Sequence, residues 1–385
     1  VTDRQTSEIP CATHLYVAVP TGVRWARDPH TAAKHDLLRR YLQAWYPIIF
    51  SGRERAAYVE GFAGPGVYLD DLPGSPIVAL DVFLDSPTLM RGGRLEVVLL
   101  EAHTGRFAEL RRRIDTRLTE RGRPAALVPT IRRGKCGHDL LPLLHELGVF
   151  GSAAFVFLDS FGGPDVPHDL VRAIAGNPSS EVLVTFGTSF PTRFGQIDKH
   201  AATADKVFGS PEWRAVQHVP PSRKKEFLLD QYRASLNRAG FSFTLAFEMV
   251  DEGGRPLFLV FGTSHESGLK AMKDAMWKVD PLTGVRYRDP RDVAQQLLDL
   301  KIEPETRPLQ NAIMNVIAES GPMTVANLRR FALLNTVFRP EHVGTALREL
   351  RKAGRLHQSP GRPNPNTVIG LPTSESPVSQ QPTLF

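Results

Sequence analysis

Between residues 57 and 187, short apolar runs of strand length alternate with longer stretches of helical periodicity, and this constrains the fold more than any other feature. Strands are expected near 57–61, 95–101, 126–132, 153–159 and 181–187, with helices near 75–85, 104–121, 138–147 and 166–175. Strands joined in succession through helices run parallel, and a parallel sheet needs helices on both faces. Ser75-Pro76 marks one helix opening, an N-cap followed by proline in the first turn. Ahead of the first strand, Leu37, Leu38, Tyr41, Leu42, Trp45 and Ile49 recur at helical spacing and predict an amphipathic helix between Ala32 and Phe50.

After Gly187 the pattern changes. Residues 188–222 read as irregular and basic, and the insertion 188–240 ends in a helix near 223–239. Two β-rich runs, 241–250 and 256–263, predict an antiparallel pair around Glu252-Gly253-Gly254-Arg255, with helices following at 265–277 and 290–300. Within the first of these helices Trp277 reads as a core residue. The expected domains are a loosely held arm (1–30), an α/β Rossmann-like domain (31–305), a smaller domain (306–370) and a disordered Ser/Pro/Gln-rich tail (371–385).

In the smaller domain, Leu309, Ile313, Val316 and Ile317 mark one helix. A second opens at Thr324, and a third near Pro340 carries Val343, Leu347 and Leu350 on one face before Gly354 stops it. Arg355–Gln358 and Asn366–Ile369 supply two candidate wing strands, so the segment reads as a winged helix-turn-helix. Charge supports a polyanionic partner. The whole chain has 47 basic and 41 acidic residues, a net +6, and Pro322–Arg362 alone holds eight basic and two acidic residues, the same +6. Arg348, Arg351 and Arg355 are the candidate nucleic-acid contacts; a solvated basic face on a protein-binding winged helix is the other reading. No run approaches 18 uncharged apolar residues, so no membrane span is expected, and without an apolar signal region a cytoplasmic location follows. Two cysteines, Cys11 and Cys136, exclude a disulfide framework. Cys136 and His138 lack further ligand residues nearby, so no metal site is expected.

The residues that carry chemistry lie at the predicted strand ends. Residues 58–66, Tyr-Val-Glu-Gly-Phe-Ala-Gly-Pro-Gly, close a strand with Glu60 and turn through Gly61, Phe62, Gly64 and Gly66. Glycines there let a ligand's polar tail approach the backbone. The second strand ends in Glu101, an acid suited to accept two ribose hydroxyls. After the third strand comes Asp139, a first-turn acid favoured by the helix dipole, or an adenine contact if the methyltransferase resemblance given next holds. The fourth strand delivers Asp159-Ser160-Phe161-Gly162-Gly163.

The glycine loop resembles that of class I S-adenosylmethionine (SAM) methyltransferases. More widely, Lys34-His35 with Leu38, Tyr41, Leu42 and Trp45, then Tyr58–Gly66, Pro73–Pro76, Asp159–Gly162 and Phe261–Trp277 resemble the three-Cys-motif partner protein family over roughly residues 30–355. The resemblance implies a class I methyltransferase sheet with a C-terminal winged helix-turn-helix domain, SAM as cofactor and a three-Cys-motif protein as partner. Lys34 and His35, on a helix that can cover the cofactor, then join Glu60, Gly61, Phe62, Gly64, Gly66, Glu101 and Asp139 as cofactor candidates. In amino-methyltransferases the fourth-strand motif is Asp/Asn-Pro-Pro-aromatic: its acid accepts from the target amine and its aromatic stacks on the base. Asp159 and Phe161 are the counterparts here. The family's own motif, Asp-Pro-Phe-Gly, is broken at Ser160.

Two functions follow. One is a SAM-dependent methyltransferase acting on nucleic acid, with an amino group of a DNA base favoured; Glu60, the glycine loop and Glu101 support it. The other is a non-catalytic DNA-binding partner of a radical-type three-cysteine protein, supported by Ser160 and the early aromatic. The terminal Gln381-Pro382-Thr383-Leu384-Phe385 resembles the Gln-x-x-Leu-Phe peptide that docks bacterial enzymes on the DNA sliding clamp.

Overall fold

The computed structural model describes residues 22–161, 163–194, 198–250, 256–288, 304–359 and 364–372. Most of the 1–30 arm, the expected turn at 252–255, the helix at 290–300 and the peptide Gln381–Phe385 lie outside the described residues. The chain divides into two compact units: Val1–Ala271 with Val285–Leu298, and Met272–Gly284 with Asp299–Phe385.

The first unit opens with α1 (Pro29–Phe50), β1 (Arg55–Glu60), α2 (Ser75–Leu84), α3 (Pro87–Gly92) and β2 (Arg94–Glu101). It continues with α4 (Thr104–Glu120), β3 (Leu127–Arg133), α5 (Leu141–Glu146), β4 (Ala153–Leu158), α6 (His168–Ala175) and β5 (Glu181–Phe186). Then come α7 (Ser189–Phe194), α8 (Asp198–Phe208), α9 (Lys224–Ala239), β6 (Phe243–Val250), β7 (Pro256–Thr263), the start of α10 (Glu266–Val279), whose residues from Met272 belong to the second unit, and β8 (Arg286–Arg288). The strands form one sheet in the order β3-β2-β1-β4-β5-β7-β6-β8. Strands β1 to β5 are parallel, and β7 is antiparallel to both neighbours. This is the Rossmann-like sheet that the alternation predicts. Every residue of β4 and β5 is buried, as expected of central parallel strands covered on both faces, and β4 accordingly reads Ala-Ala-Phe-Val-Phe-Leu without alternation.

Two local expectations need correction. Residues 188–222 are not irregular: they contain α7 and α8, because Ala201, Ala204, Val207 and Phe208 form a buried stripe at helical spacing. Ser75 is not an N-cap. Gly74 occupies that position, and the Ser75 hydroxyl donates to Glu60 instead.

The second unit holds α11 (Arg307–Ser320), β9 (Met323–Thr324), α12 (Val325–Asn335), α13 (His342–Lys352), β10 (His357–Gln358) and β11 (Val368–Gly370). Its strands form a small antiparallel sheet in the order β10-β11-β9. Thr324 caps α12, its hydroxyl accepting from the Asn327 N–H at 3.1 Å. Leu309, Ile313, Leu328, Val343 and Leu350 build the core together with Trp277. Met272–Gly284, placed by the sequence in the first domain, thus packs with the second unit. The Trp277 indole donates to the Val337 carbonyl at 2.9 Å. The buried Lys273 ammonium donates to the carbonyls of Ala332, Leu333, Thr336 and Phe338, two of which are last-turn groups that α12 itself leaves unpaired. No described helix is long and apolar enough to cross a membrane.

Candidate functional site

A cavity of about 900 Å³ opens at the carboxyl ends of β1, β2 and β4. Its walls are the Gly61–Tyr68 loop after β1, Glu101–His103 at the end of β2, Gly134–His138 after β3 and Asp159–Phe161 after β4. In the sheet β1 lies between β2 and β4, so the chain leaves this point toward both sides. Such a switch point is where an open parallel sheet forms its ligand crevice.

Glu60 sits beneath the cavity and is 1% exposed. It accepts from the Tyr58 hydroxyl at 2.5 Å and the Ser75 hydroxyl at 2.8 Å. Burial outweighs those bonds and pushes its carboxyl up to about 8. Glu101 takes the Gly64 N–H at 2.9 Å and the His103 N–H at 2.8 Å, which pins the glycine loop to β2. A carboxylate has about four acceptor positions, so Glu101 keeps capacity for a ligand.

The glycines serve different ends. At Gly61 a Cβ would meet Cys136 Sγ at 2.6 Å and Leu158 at 2.9 Å, so internal packing demands this glycine rather than ligand approach. Gly64 has a left-handed φ of +62°, and its Cβ would meet only Trp25, at 3.7 Å. There the backbone conformation is the constraint.

The apolar stripe of α1 packs inward and carries Lys34 with it. The Lys34 ammonium pairs with Asp159 Oδ2, their side chains 7% and 14% exposed. Among the described residues, Asp159 Oδ1 is buried without a hydrogen-bond partner. The sequence reading made Asp159 a free acceptor; the structure leaves one oxygen for that role. His35 lies beside it with Nε2 3.4 Å from the Tyr68 hydroxyl and Nδ1 unpartnered. Burial, then the Lys34 charge, holds its imidazole well below the usual range and hence neutral.

Phe161 lines the cavity from a turn with φ +56°. Ser160 fastens that turn: its hydroxyl donates to the Gly163 carbonyl at 3.1 Å, and the Gly163 N–H returns to Ser160 O at 3.1 Å. Asp139 does not line the cavity. Its carboxylate takes the Lys135 N–H at 2.7 Å and lies 2.6 Å from His138 Nδ1, so it organises the turn into α5. Trp25, Tyr68 and Arg106 also line the site. Trp25 stands edge-on to Tyr68 and Phe161 at 5.9 and 6.1 Å, with the Arg106 guanidinium 5.0 Å from its ring. The sequence reading missed them; a tryptophan outside any periodic segment was the available signal. In the second unit, Arg348, Arg351 and Arg355 are exposed, with Arg351 donating to Gln358 at 2.7 Å.

No protein-family model and no curated protein matches the sequence. Among solved structures, the chain is similar to the O-methyltransferase TomG from Streptomyces achromogenes in complex with SAM, at 19% identity over 63% of this chain and 82% of that one, TM-score 0.34. An O-methyltransferase from Bacillus cereus in complex with SAH matches at 13% identity over 58% and 80%, TM-score 0.29. The glycopeptide N-methyltransferase MtfA complexed with sinefungin matches at 15% over 62% and 88%, TM-score 0.30. The strand order itself, with β7 reversed between β5 and β6, shows a Rossmann-like α/β fold in the first unit.

Proposed function

We propose that the cavity binds SAM and that the protein transfers its methyl group to an amino group of a base in DNA. The observation that supports this best is the convergence of the left-handed glycine loop, Glu101 and Asp159 on one cavity at the switch point of the sheet. The residues fit such a group. The volume lies within the range of small-molecule sites. The unpartnered Asp159 Oδ1 and His35 Nδ1 are buried polar atoms of the kind that a bound ligand satisfies. Bound SAM would supply an electrophilic methyl group on a sulfonium.

The chain's own residues then divide the work. Phe62, Gly64 and Gly66 form the loop against the cofactor, with Gly61 seating it on Cys136 and Leu158, Glu60 supporting it from below and Glu101 accepting ribose hydroxyls. Lys34 fixes the Asp159 carboxylate, and Asp159 Oδ1 accepts an N–H of the target amine, turning the nitrogen lone pair outward. Phe161 and Trp25 form an aromatic wall for a base. The second unit, read as a winged helix, contacts phosphates through Arg348, Arg351 and Arg355. The resemblance to three-Cys-motif partner proteins is part of this reading, as is sliding-clamp docking through Gln381–Phe385.

One observation favours a non-catalytic DNA-binding partner of a three-cysteine protein instead: Lys34 already occupies Asp159 Oδ2. Incubation with methyl-labelled SAM and DNA separates the two. Label in DNA, lost in Asp159→Ala while cofactor affinity is kept, is the expected result. A protein that binds SAM yet labels neither DNA nor RNA would favour the accessory role.

A further inference from the structure

The first unit carries basic charge that the reading of the second as the nucleic-acid contact leaves unused. Between Ala102 and Lys135 there are ten arginines and lysines and three acids. Most of these cations are neutralised within the fold. Glu109 holds Arg112 and Arg113, Asp81 holds Arg117, Asp85 holds Arg121, Asp115 holds Arg123, and Glu146 lies 3.5 Å from Arg132. Arg106 is buried against Trp25. Among the described residues, Arg111, Arg133 and Lys135 remain, exposed and without an ion pair. Arg111 rests 5.7 Å from the Phe107 ring, and Arg133 donates to the Thr104 hydroxyl at 3.0 Å.

Their placement is ordered. Lys135 lines the cavity. Arg133 closes β3 beside it and is tied to the first residue of α4. Arg111 lies seven residues further along α4, about 10 Å at helical rise. The three cations therefore run from the cavity mouth down the outer edge of the sheet, where β3 has β2 as its one neighbour. A groove of about 460 Å³ follows the same edge, with Phe107, Arg111, Arg112, Arg123 and Ile131 among its lining.

We propose that this α4–β3 edge is a phosphate-binding track that holds duplex DNA at the cavity mouth. The proposal rests on reading the cavity as a methyl-transfer site for DNA. Single-strand tracks use exposed aromatic platforms, and none of the exposed large apolar side chains described falls between residues 102 and 135. The one aromatic in the groove, Phe107, is half-buried and lies under the Arg111 guanidinium, so the track presents charge rather than a stacking platform and suits a duplex backbone.

The test is fluorescence anisotropy of a labelled 20-base-pair DNA duplex with the full chain, titrated between 50 and 200 mM salt. Removing two phosphate contacts in Arg111→Ala/Arg133→Ala lowers the salt slope by about 1.8, so wild type loses about 12-fold more affinity over that range than the variant. Arg111→Lys/Arg133→Lys keeps the slope, because a phosphate contact needs the charge rather than the guanidinium fork. Melting temperature and its shift with S-adenosylhomocysteine (SAH) stay at wild-type values in both variants. An unchanged slope in the alanine variant, with a flattened one in Arg348→Ala/Arg351→Ala, overturns the track and leaves the DNA reading standing. No duplex binding by the wild type overturns both.

Discussion

The two ends of the parallel sheet each bury a carboxyl group among hydroxyl donors, beside cavities of different size, about 900 Å³ at the carboxyl end and about 460 Å³ at the other. At the carboxyl end, Glu60 takes Tyr58 and Ser75, and burial pushes it up to about 8. At the opposite end, Glu181 opens β5, takes the hydroxyls of Tyr41 and Thr263, and is pushed by burial to about 7. Gly268 makes room for it: a Cβ there would sit 1.8 Å from Glu181 Oε1. The far-end carboxyl is thus enclosed by the first turn of α10. What distinguishes the near end is a buried cation, a left-handed loop and a carboxylate oxygen without a donor. A buried acid with a raised pKa is therefore no mark of function by itself.

The largest test of this contrast is pH. Both acids hold a proton in the folded state that the unfolded chain releases near 4.5. Their stabilising contribution is full below that value and is lost as pH rises, by about 8 for Glu60 and about 7 for Glu181. At 1.36 kcal/mol per unit this reaches roughly 5 kcal/mol for Glu60 and roughly 3 kcal/mol for Glu181. Chemical denaturation from pH 5 to 8 should show the wild type weakening. Glu60→Gln should remove the larger part of that slope and Glu181→Gln the smaller, with Glu60→Gln alone also lowering SAH affinity. Equal losses of SAH affinity would erase the distinction between the ends.

Lys34→Ala comes next. It leaves the half-buried Asp159 carboxyl without its cation, a loss of up to about 3–5 kcal/mol in unfolding free energy. Lys34→Met combined with Asp159→Leu should recover much of it, since removing both charges leaves neither unpaired. A single-variant loss under about 1 kcal/mol would mean the pair is solvated. The smallest effect is steric. Gly61→Ala forces its new methyl on Cys136 and Leu158 and should cost about 1–3 kcal/mol by the same assay. A stable Gly61→Ala that fails to bind SAH would return this glycine to the ligand.

The alternation of apolar runs made the sheet legible, because central parallel strands are buried on both faces and cannot hide their composition. Strand ends were equally legible, which is why Glu60, Glu101 and Asp159 surfaced early. Side-chain partners were not. Nothing in spacing announces that Lys34 reaches across to Asp159 over 125 positions, or that Ser75 turns from its helix to Glu60. Asp139 and Gly61 show the same limit: a residue type at the right place can serve the turn or the packing instead of the ligand. Trp25 stayed hidden because an aromatic outside any periodic segment has no pattern to declare its neighbours.

Calorimetric titration of the full chain with SAH tests the central claim most directly. The account predicts one-to-one binding, weakened by about 1.5–3 kcal/mol in Glu101→Ala, which deletes charged acceptors to the ligand, and unchanged in Glu181→Gln. Absence of both heat and a melting-temperature shift at millimolar SAH would contradict it.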